Sequence, residues 1–348
     1  MSELKLGIIG GGQLGSMLST AAKKLNIKSV VYSDDVNAPA QKFCDEFIFS
    51  EYDNKEKILE LVSKVDVITY EFENIPFETL NEINKLKPVV PKPSVNRLIQ
   101  HRLAEKDFIN KLNIRTTRYV SIEKKSDIET LEDFLPGILK TTTMGYDGKG
   151  QYPIKKIEDL ETLNIDFSKG YILEKLVKLK KEISVIITRF GNNKYEIYEP
   201  IENTHKDQIL KYSKIPSEIS KKIFDQSKDW AITIAEELKY IGTMCVEYFI
   251  DRNENLYVNE IAPRVHNSGH LTINAYNISQ FENHVRAVCN LEKISLKKIS
   301  NAKMINLIGD EIKPYRENLK LNDNEFLFDY LKTEIKEKRK MGHITTLI

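Results

Sequence analysis

Apolar positions along this chain fall into short continuous runs and helical stripes, and their order changes part-way. Residues 4–9 form an apolar run, followed by Gly10-Gly11-Gly12-Gln13-Leu14-Gly15, a helix-like stretch to about residue 26, and a second run at 30–32 that ends in Asp34-Asp35. Runs bounded by turn residues predict buried strands. Their alternation with helical stretches predicts βαβ units around a parallel sheet. The pattern continues with a helix over 55–63 and a strand over 65–70, whose carboxyl end carries Glu71-Phe72-Glu73-Asn74-Ile75-Pro76. Pro88, Pro91 and Pro93 then punctuate the chain and place a first domain at 1–93. A helix is predicted over 96–112, with apolar residues at 98, 99, 103, 108, 109 and 112. Its Arg102 and Lys106 read as a charged outer face.

Downstream the rhythm turns to strands. Runs at 137–140, 171–175, 180–187 and 195–200 are joined by segments that suit antiparallel pairing. A long amphipathic helix over 221–238 carries the single tryptophan, Trp230, expected in the core. Two arms, 244–250 and 256–261, flank the polar loop Asp251-Arg252-Asn253-Glu254-Asn255 and predict a hairpin. A helix over 279–288, a strand over 304–308 and a basic, β-like tail over 335–348 complete the chain. The pattern predicts an α/β and α+β protein. A parallel sheet is expected over 1–93 and an antiparallel-rich architecture after it.

Composition narrows the function classes. The chain has 348 residues, 30% charged and 41% hydrophobic, an ordinary globular mixture. Its formal net charge of +1 offers no broad footprint for nucleic acid or a membrane surface. No stretch reads as a transmembrane span or a signal peptide. Three cysteines, Cys44, Cys245 and Cys289, lack a metal or disulfide spacing, and the expected compartment is the cytoplasm.

Candidate chemistry lies in three places. Each hairpin arm carries one acid where a buried strand prefers an apolar residue, Glu247 and Glu260. Paired arms bring two carboxylates together, which disfavours their ionisation unless a cation intervenes. With Asn259 alongside, these hard oxygens suit Mg²⁺ or Mn²⁺, which also take phosphate oxygens. A dense polar run follows: Arg264, His266, Asn267, Ser268, Gly269, His270. The second place is Thr141-Thr142-Thr143-Met144-Gly145-Tyr146-Asp147-Gly148-Lys149-Gly150-Gln151, after a strand ending in Lys140. Its backbone N–H groups suit polyphosphate, although no G-K-[ST] opens a helix as in a P-loop. The third is the first glycine turn, where Gly10, Gly12 and Gly15 match G-x-G-x-x-G. That turn either holds an anion at a helix N-terminus or only lets the helix pack close to the strand.

The peptides GGGQLG, YEFENIP, GYDGKGQ, NEIAPRVHNSGH and RKMGHIT, in this order from residue 5 to 346, resemble the 5-(carboxyamino)imidazole ribonucleotide synthase family. The resemblance implies an N-terminal Rossmann-like domain at 1–93, an ATP-grasp central domain at 94–288 and a small β-rich C-terminal domain at 289–348 that completes the site, with ATP and Mg²⁺ (or Mn²⁺) as cofactors, and a homodimer. It implies the reaction of ATP, bicarbonate and 5-aminoimidazole ribonucleotide in purine biosynthesis. Carried onto this chain it implies ATP contacts at Arg102, Lys140, Gly145, Tyr146, Asp147, Gly148, Lys149, Gly150, Gln151, Glu174, Lys175, Leu176, Val177, Glu182, His205, Asn259 and Glu260. Glu247 and Glu260 become metal ligands. Lys140, Arg264 and His266 become catalytic residues. Glu71, Glu73, Tyr146, Asp147, Lys149, Arg264, His266, Asn267, Arg339 and Lys340 surround the ribonucleotide. Met144, Lys149, Gln208 and the tail Lys336-Glu337-Lys338-Arg339-Lys340 depart from the common family pattern. A formate-using ATP-grasp transformylase is the alternative reading. A dinucleotide-dependent dehydrogenase built on GGGQLG leaves the acidic hairpin unexplained. A non-catalytic relative predicts lost metal ligands, and both acids are present.

Overall fold

The computed structural model describes residues 4–129, 131–143, 150–163, 166 and 169–348. Four parallel strands, β1 (Lys5–Ile9), β2 (Lys28–Ser33), β3 (Glu46–Phe49) and β4 (Val67–Tyr70), form the first sheet in the order β3-β2-β1-β4. Helix α1 (Gln13–Lys24) leaves the glycine turn, and α2 (Lys55–Lys64) and α3 (Phe77–Leu86) follow. A side chain at Gly15 would meet the Gly10 carbonyl at 2.7 Å, so this glycine exists for close approach of helix to strand.

The helix expected over 96–112 is two. α4 (Pro93–Ile99) and α5 (Arg102–Lys111) are separated at Gln100–His101. His101 takes an extended conformation, and its ring accepts from the Ala104 N–H. This cap restarts the helix with a new phase. Lys106 therefore faces inward at 1% exposure and Arg102 at 9%, which corrects the outer-face reading of both.

A small antiparallel sheet of β5 (Tyr119–Ile122), β6 (Gly137–Thr141), β7 (Gln151–Ile154) and β8 (Tyr171–Lys175) has the order β5-β8-β6-β7. The remaining strands, β9 (Leu179–Arg189), β10 (Tyr195–Ile197), β11 (Ile201–Lys206), β12 (Ile209–Ile215), β13 (Gly242–Asp251), β14 (Leu256–Ala262), β15 (Ala302–Ile308), β16 (Glu325–Asp329) and β17 (Lys340–Leu347), form one sheet. Its order is β14-β13-β9-β11-β12-β15-β17-β16, with β10 on β9. The C-terminal strands thus extend the central sheet. The strand expected over 195–200 breaks at Tyr198–Pro200, and the polar stretch after it, including His205, is itself strand β11. Helix Lys221–Glu237 covers β9 and β13 around Ile223, Ala231 and Ile234, and Trp230 packs half-buried against that core.

The first domain is bolted to the central sheet by a histidine. The Thr243 N–H donates to His284 Nδ1 (3.0 Å), so the Nε2–H donates to Thr69 Oγ1 (2.8 Å) on β4. Burial holds His284 neutral down to about 4, and burial likewise holds His343, which contacts the Tyr330 hydroxyl, neutral down to about 3. Above pH 6.5 these rings are uncharged folded or unfolded and contribute nothing to pH dependence. Below it the unfolded chain binds protons that the folded chain refuses. Stability therefore falls by up to about 1.4 kcal/mol per pH unit per histidine until the folded values are reached. Chemical denaturation at pH 7 and pH 5 should show a lower midpoint at pH 5, with a smaller drop in His284→Gln.

Candidate active site

A cleft of about 1560 Å³ opens where the parallel sheet, the small sheet and the central sheet meet. One half is built on β13 and β14. The Asp251 carboxylate accepts from the N–H groups of Asn253 and Asn255 (2.8 Å each), closing the hairpin loop. Glu247 and Glu260 are direct cross-strand partners. The next pairing, Tyr248 with Val258, skips Asn259, which is a bulge. A bulge re-aims side chains, and here it turns both Asn259 and Glu260 to the cleft. Asn259 donates to Glu247, while its Oδ1 is buried without a hydrogen-bond partner.

Around these oxygens stand cations. Arg102 Nη1 lies 3.3 Å from Glu260 Oε2, and the Arg102 N–H donates to the Thr142 carbonyl at the base of the second glycine loop. Lys140 Nζ lies 3.0 Å from Glu174 Oε1. On the other side of that carboxylate are the Thr117 hydroxyl (2.8 Å) and Lys106 Nζ (3.4 Å). Burial alone raises a carboxyl, but Lys140, Lys106 and Thr117 outweigh it and hold Glu174 at about 2. Lys175, Leu176 and Val177 continue along the cleft from Glu174, with the Lys175 N–H taken by the Arg118 carbonyl. His205 Nδ1 meets Glu182 Oε2 at 2.6 Å, and this contact raises the histidine's pKa against the effect of burial. Gly150 closes the loop base through its carbonyl, which accepts from the Thr141 N–H (2.9 Å), and Gln151 pairs with Lys140. Gly145, Tyr146, Asp147, Gly148 and Lys149, with Met144, lie outside the described residues.

The other half of the cleft belongs to the first domain and the tail. The Arg264 guanidinium forks onto Glu73, through Nε to Oε2 and Nη2 to Oε1 (2.7 Å). The pair offsets burial and holds Glu73 below its usual range. Glu71 goes the other way: burial raises it, opposed by the Gly12 N–H at 2.8 Å. A side chain at Gly10 or Gly12 would strike the Glu71 carboxyl, and the Gly12 N–H is already spent on it, so these two glycines serve the close approach of the turn to Glu71. Gln13 accepts from Lys332 (2.8 Å), which also donates to the Lys340 carbonyl. Arg339, Lys340 and Asn267 line the same cleft.

His266 joins the halves. Its Nε2 is 2.9 Å from Glu247 Oε1. Gln280 holds its backbone in a fork, accepting from the His266 N–H (2.9 Å) and donating to its carbonyl (2.6 Å). A Cβ on Gly269 would lie 2.6 Å from Gln280 Oε1. Gly269→Ala should therefore displace this fork, lower stability by about 1–3 kcal/mol and reduce turnover, measured by thermal unfolding and ADP release.

The sequence pattern missed Glu105, Lys106, Thr117, Gln280 and Lys332 as parts of the site. Glu105 Oε1 accepts from the Ile261 N–H (2.6 Å) just past the bulge. Only the interrupted phase of α5 offered a signal for Glu105 and Lys106. Among the described residues no group of three or more His, Cys, Asp or Glu is placed to hold a metal. The donors that are present, two carboxylates and an orphaned amide oxygen, fit a cation such as Mg²⁺ that keeps waters and phosphate oxygens as its other ligands.

A parallel sheet joined to an antiparallel phosphate-type cleft, with paired acids on a hairpin, defines an ATP-grasp enzyme. The family model "ATP-grasp domain" matches residues 107–281, "Ribonucleotide synthetase preATP-grasp domain" residues 3–100, and "Phosphoribosylaminoimidazole carboxylase C-terminal domain" residues 302–348. The N5-carboxyaminoimidazole ribonucleotide synthase of Bacillus subtilis (strain 168) is 39% identical over 344 residues, covering 98% of this chain and 90% of its own. The chain belongs to the N5-carboxyaminoimidazole ribonucleotide synthase family of ATP-dependent carbon–nitrogen ligases. The Staphylococcus aureus N5-carboxyaminoimidazole synthetase crystal structure complexed with ADP superposes with a TM-score of 0.94 at 36% identity, covering 99% of this chain and 93% of that one. The Aspergillus clavatus enzyme, in complex with ADP and the aminoimidazole ribonucleotide, gives 0.90 at 28% identity, covering 99% and 94%.

Proposed function

We propose that this protein carboxylates the amine of 5-aminoimidazole ribonucleotide with ATP and bicarbonate, giving the N5-carboxyamino product, ADP and phosphate. One observation carries the reading. The phosphate-type half (Arg102, Lys140, Glu247, Glu260) and the ribonucleotide half (Glu71, Glu73, Arg264, Lys340) line a single continuous cleft. A bicarbonate oxygen attacks the γ-phosphorus, and the bond to the ADP oxygen breaks. The carboxyphosphate so formed passes its carboxyl group to the amine, directly or as CO₂ released in the closed site, while phosphate leaves and takes up the proton the amine loses. Phosphoryl transfer needs positioning and charge neutralisation more than covalent help. Lys140 and Arg102 supply positive charge at the phosphates. Glu174 anchors Lys140, and Glu182 and His205 border the nucleotide side. The Glu73–Arg264 pair and Asn267 position the ribonucleotide, with Arg339 and Lys340 toward its phosphate. Glu247, Glu260 and the Asn259 amide oxygen are the groups that would hold Mg²⁺ or Mn²⁺, which supplies charge neutralisation at the phosphate oxygens.

The resemblance also supports a homodimer, which light scattering of the eluting protein checks. The three cysteines are free and no described helix is long and apolar enough to cross a membrane, in keeping with a cytoplasmic enzyme. The direct test is ADP release from ATP, Mg²⁺ and bicarbonate with and without 5-aminoimidazole ribonucleotide. Strong stimulation by the ribonucleotide, and none when formate replaces bicarbonate, is expected. ADP formation indifferent to the ribonucleotide sinks the assigned acceptor.

A further inference from the structure

Between α5 and the small sheet runs a short extended segment, residues 115–118, that ties two sheets together. Its Arg115 carbonyl accepts from the Val258 N–H on β14 (2.8 Å), and its Arg118 carbonyl accepts from the Lys175 N–H at the end of β8 (2.9 Å). Thr116 and Thr117 stand between these anchors, and both are buried. Lys106 Nζ donates to the two hydroxyls at 2.9 Å each. A hydroxyl that accepts from the lysine turns its own proton elsewhere. Thr116 gives its proton to the Val258 carbonyl (2.8 Å), and Thr117 gives its proton to Glu174 Oε2 (2.8 Å). Two neighbouring threonines therefore serve different ends. One fastens the segment to the central sheet, and the other reaches a carboxylate in the cleft.

The Thr117 bond sets how Glu174 meets Lys140. Lys140 opposes Ile172 and Ile138 opposes Glu174 across β6 and β8, so the lysine and the glutamate are diagonal neighbours on one face of the small sheet. Oε2 is taken by the Thr117 hydroxyl, with Lys106 Nζ 3.4 Å away. Oε1 is left toward Lys140, whose Nζ lies at 3.0 Å. A lysine ammonium has three N–H donors, and a single oxygen engages one of them. Among the described residues the Lys140 ammonium meets only this carboxylate, so its other donors remain for an anion in the cleft that it lines. With both carboxylate oxygens open to it, the ammonium would be drawn onto Glu174 and its charge withdrawn from the cleft.

We infer that Thr117 is a positioning residue for the nucleotide phosphates. Its hydroxyl fixes the Glu174 carboxylate, and through that carboxylate the direction in which Lys140 presents its charge. The use of Lys140 at the phosphates rests on the function proposed above, whereas the orientation of Glu174 does not.

Thr117→Val keeps the shape of the side chain and removes the hydroxyl. Its affinity for ADP, measured by calorimetry, is expected to fall about tenfold, the scale of one hydrogen bond to a charged group. Affinity for 5-aminoimidazole ribonucleotide should stay at the wild-type value, because the groups proposed to hold it lie in the other half of the cleft. Thr117→Ser retains the donor and should restore ADP binding. Thr116→Val is the control. It loses the bond to β14 and not the one to Glu174, so its melting temperature should fall while its ADP affinity is kept. A folded Thr117→Val that binds ADP like the wild type, or no more weakly than Thr116→Val does, overturns the inference. So does a Thr117→Ser variant as weak as Thr117→Val. Should the valine variant fail to fold, Thr117→Ala is judged by the same criteria. Wild-type protein that binds ADP without ribonucleotide-stimulated turnover rejects the proposed acceptor and leaves the Thr117 result standing.

Discussion

Replacing Glu260 by glutamine is expected to lower kcat by about 10²–10³-fold, the scale seen when one preorganised charge-stabilising group is removed. The change is nearly isosteric, so shape is kept and charge is lost. Three neighbours report what that charge does. Asn259 and Glu247 lose the second carboxylate of the proposed cation site, and Arg102 loses its partner at 3.3 Å. Glu105, buried beside Glu260, loses a repulsive neighbour, because burial and the Glu260 charge together push its pKa up. Glu105 should then ionise at lower pH, and this relief offsets the partner that Arg102 loses, so the melting temperature should change little. The combination of a collapsed rate and a nearly unchanged melting temperature distinguishes a missing ligand from a damaged fold. A variant that retains near-normal turnover removes Glu260 from the metal site.

What the sequence carried is uneven, for reasons visible in particular residues. Glu247 and Glu260 stood out because an acid in an apolar strand violates the pattern, and the hairpin joins them locally. The bulge at Asn259 left no such trace, since its existence depends on how β13 and β14 pair. Lys106 was read as solvated because the periodicity was carried straight through residues 96–112. The cap at His101 resets the phase and buries the lysine against Thr116 and Thr117 at 2.9 Å each. His205 was placed after a strand, while the β9 pairing draws Ile201–Lys206 into the sheet and brings it to Glu182. The family resemblance runs along the chain from residue 5 to 346, so fold class and reaction type were legible from it.

Arg264→Met offers the sharpest contrast with Glu260→Gln, because here stability and activity should fall together and then be separated. The guanidinium forks onto Glu73 in a largely buried setting and also donates to the Val265 carbonyl (3.0 Å). Methionine fills similar space and leaves the Glu73 carboxylate without its counter-charge beside the raised carboxyl of Glu71. Stranding one member of a buried pair costs about 3 kcal/mol, a fall of roughly 5 °C or more in melting temperature for a chain of this size. Glu73 should also lose the depression that Arg264 gives it and take up a proton at higher pH. The double variant Glu73→Gln with Arg264→Met removes the stranded charge, so much of the stability should return. Ribonucleotide-stimulated ADP release should not, because the pair proposed to position the ribonucleotide is gone. If the double variant regains activity along with its melting temperature, the pair is a structural strut and the ribonucleotide is held elsewhere. If neither returns, the fork has a further packing role at Val265 that charge alone does not describe.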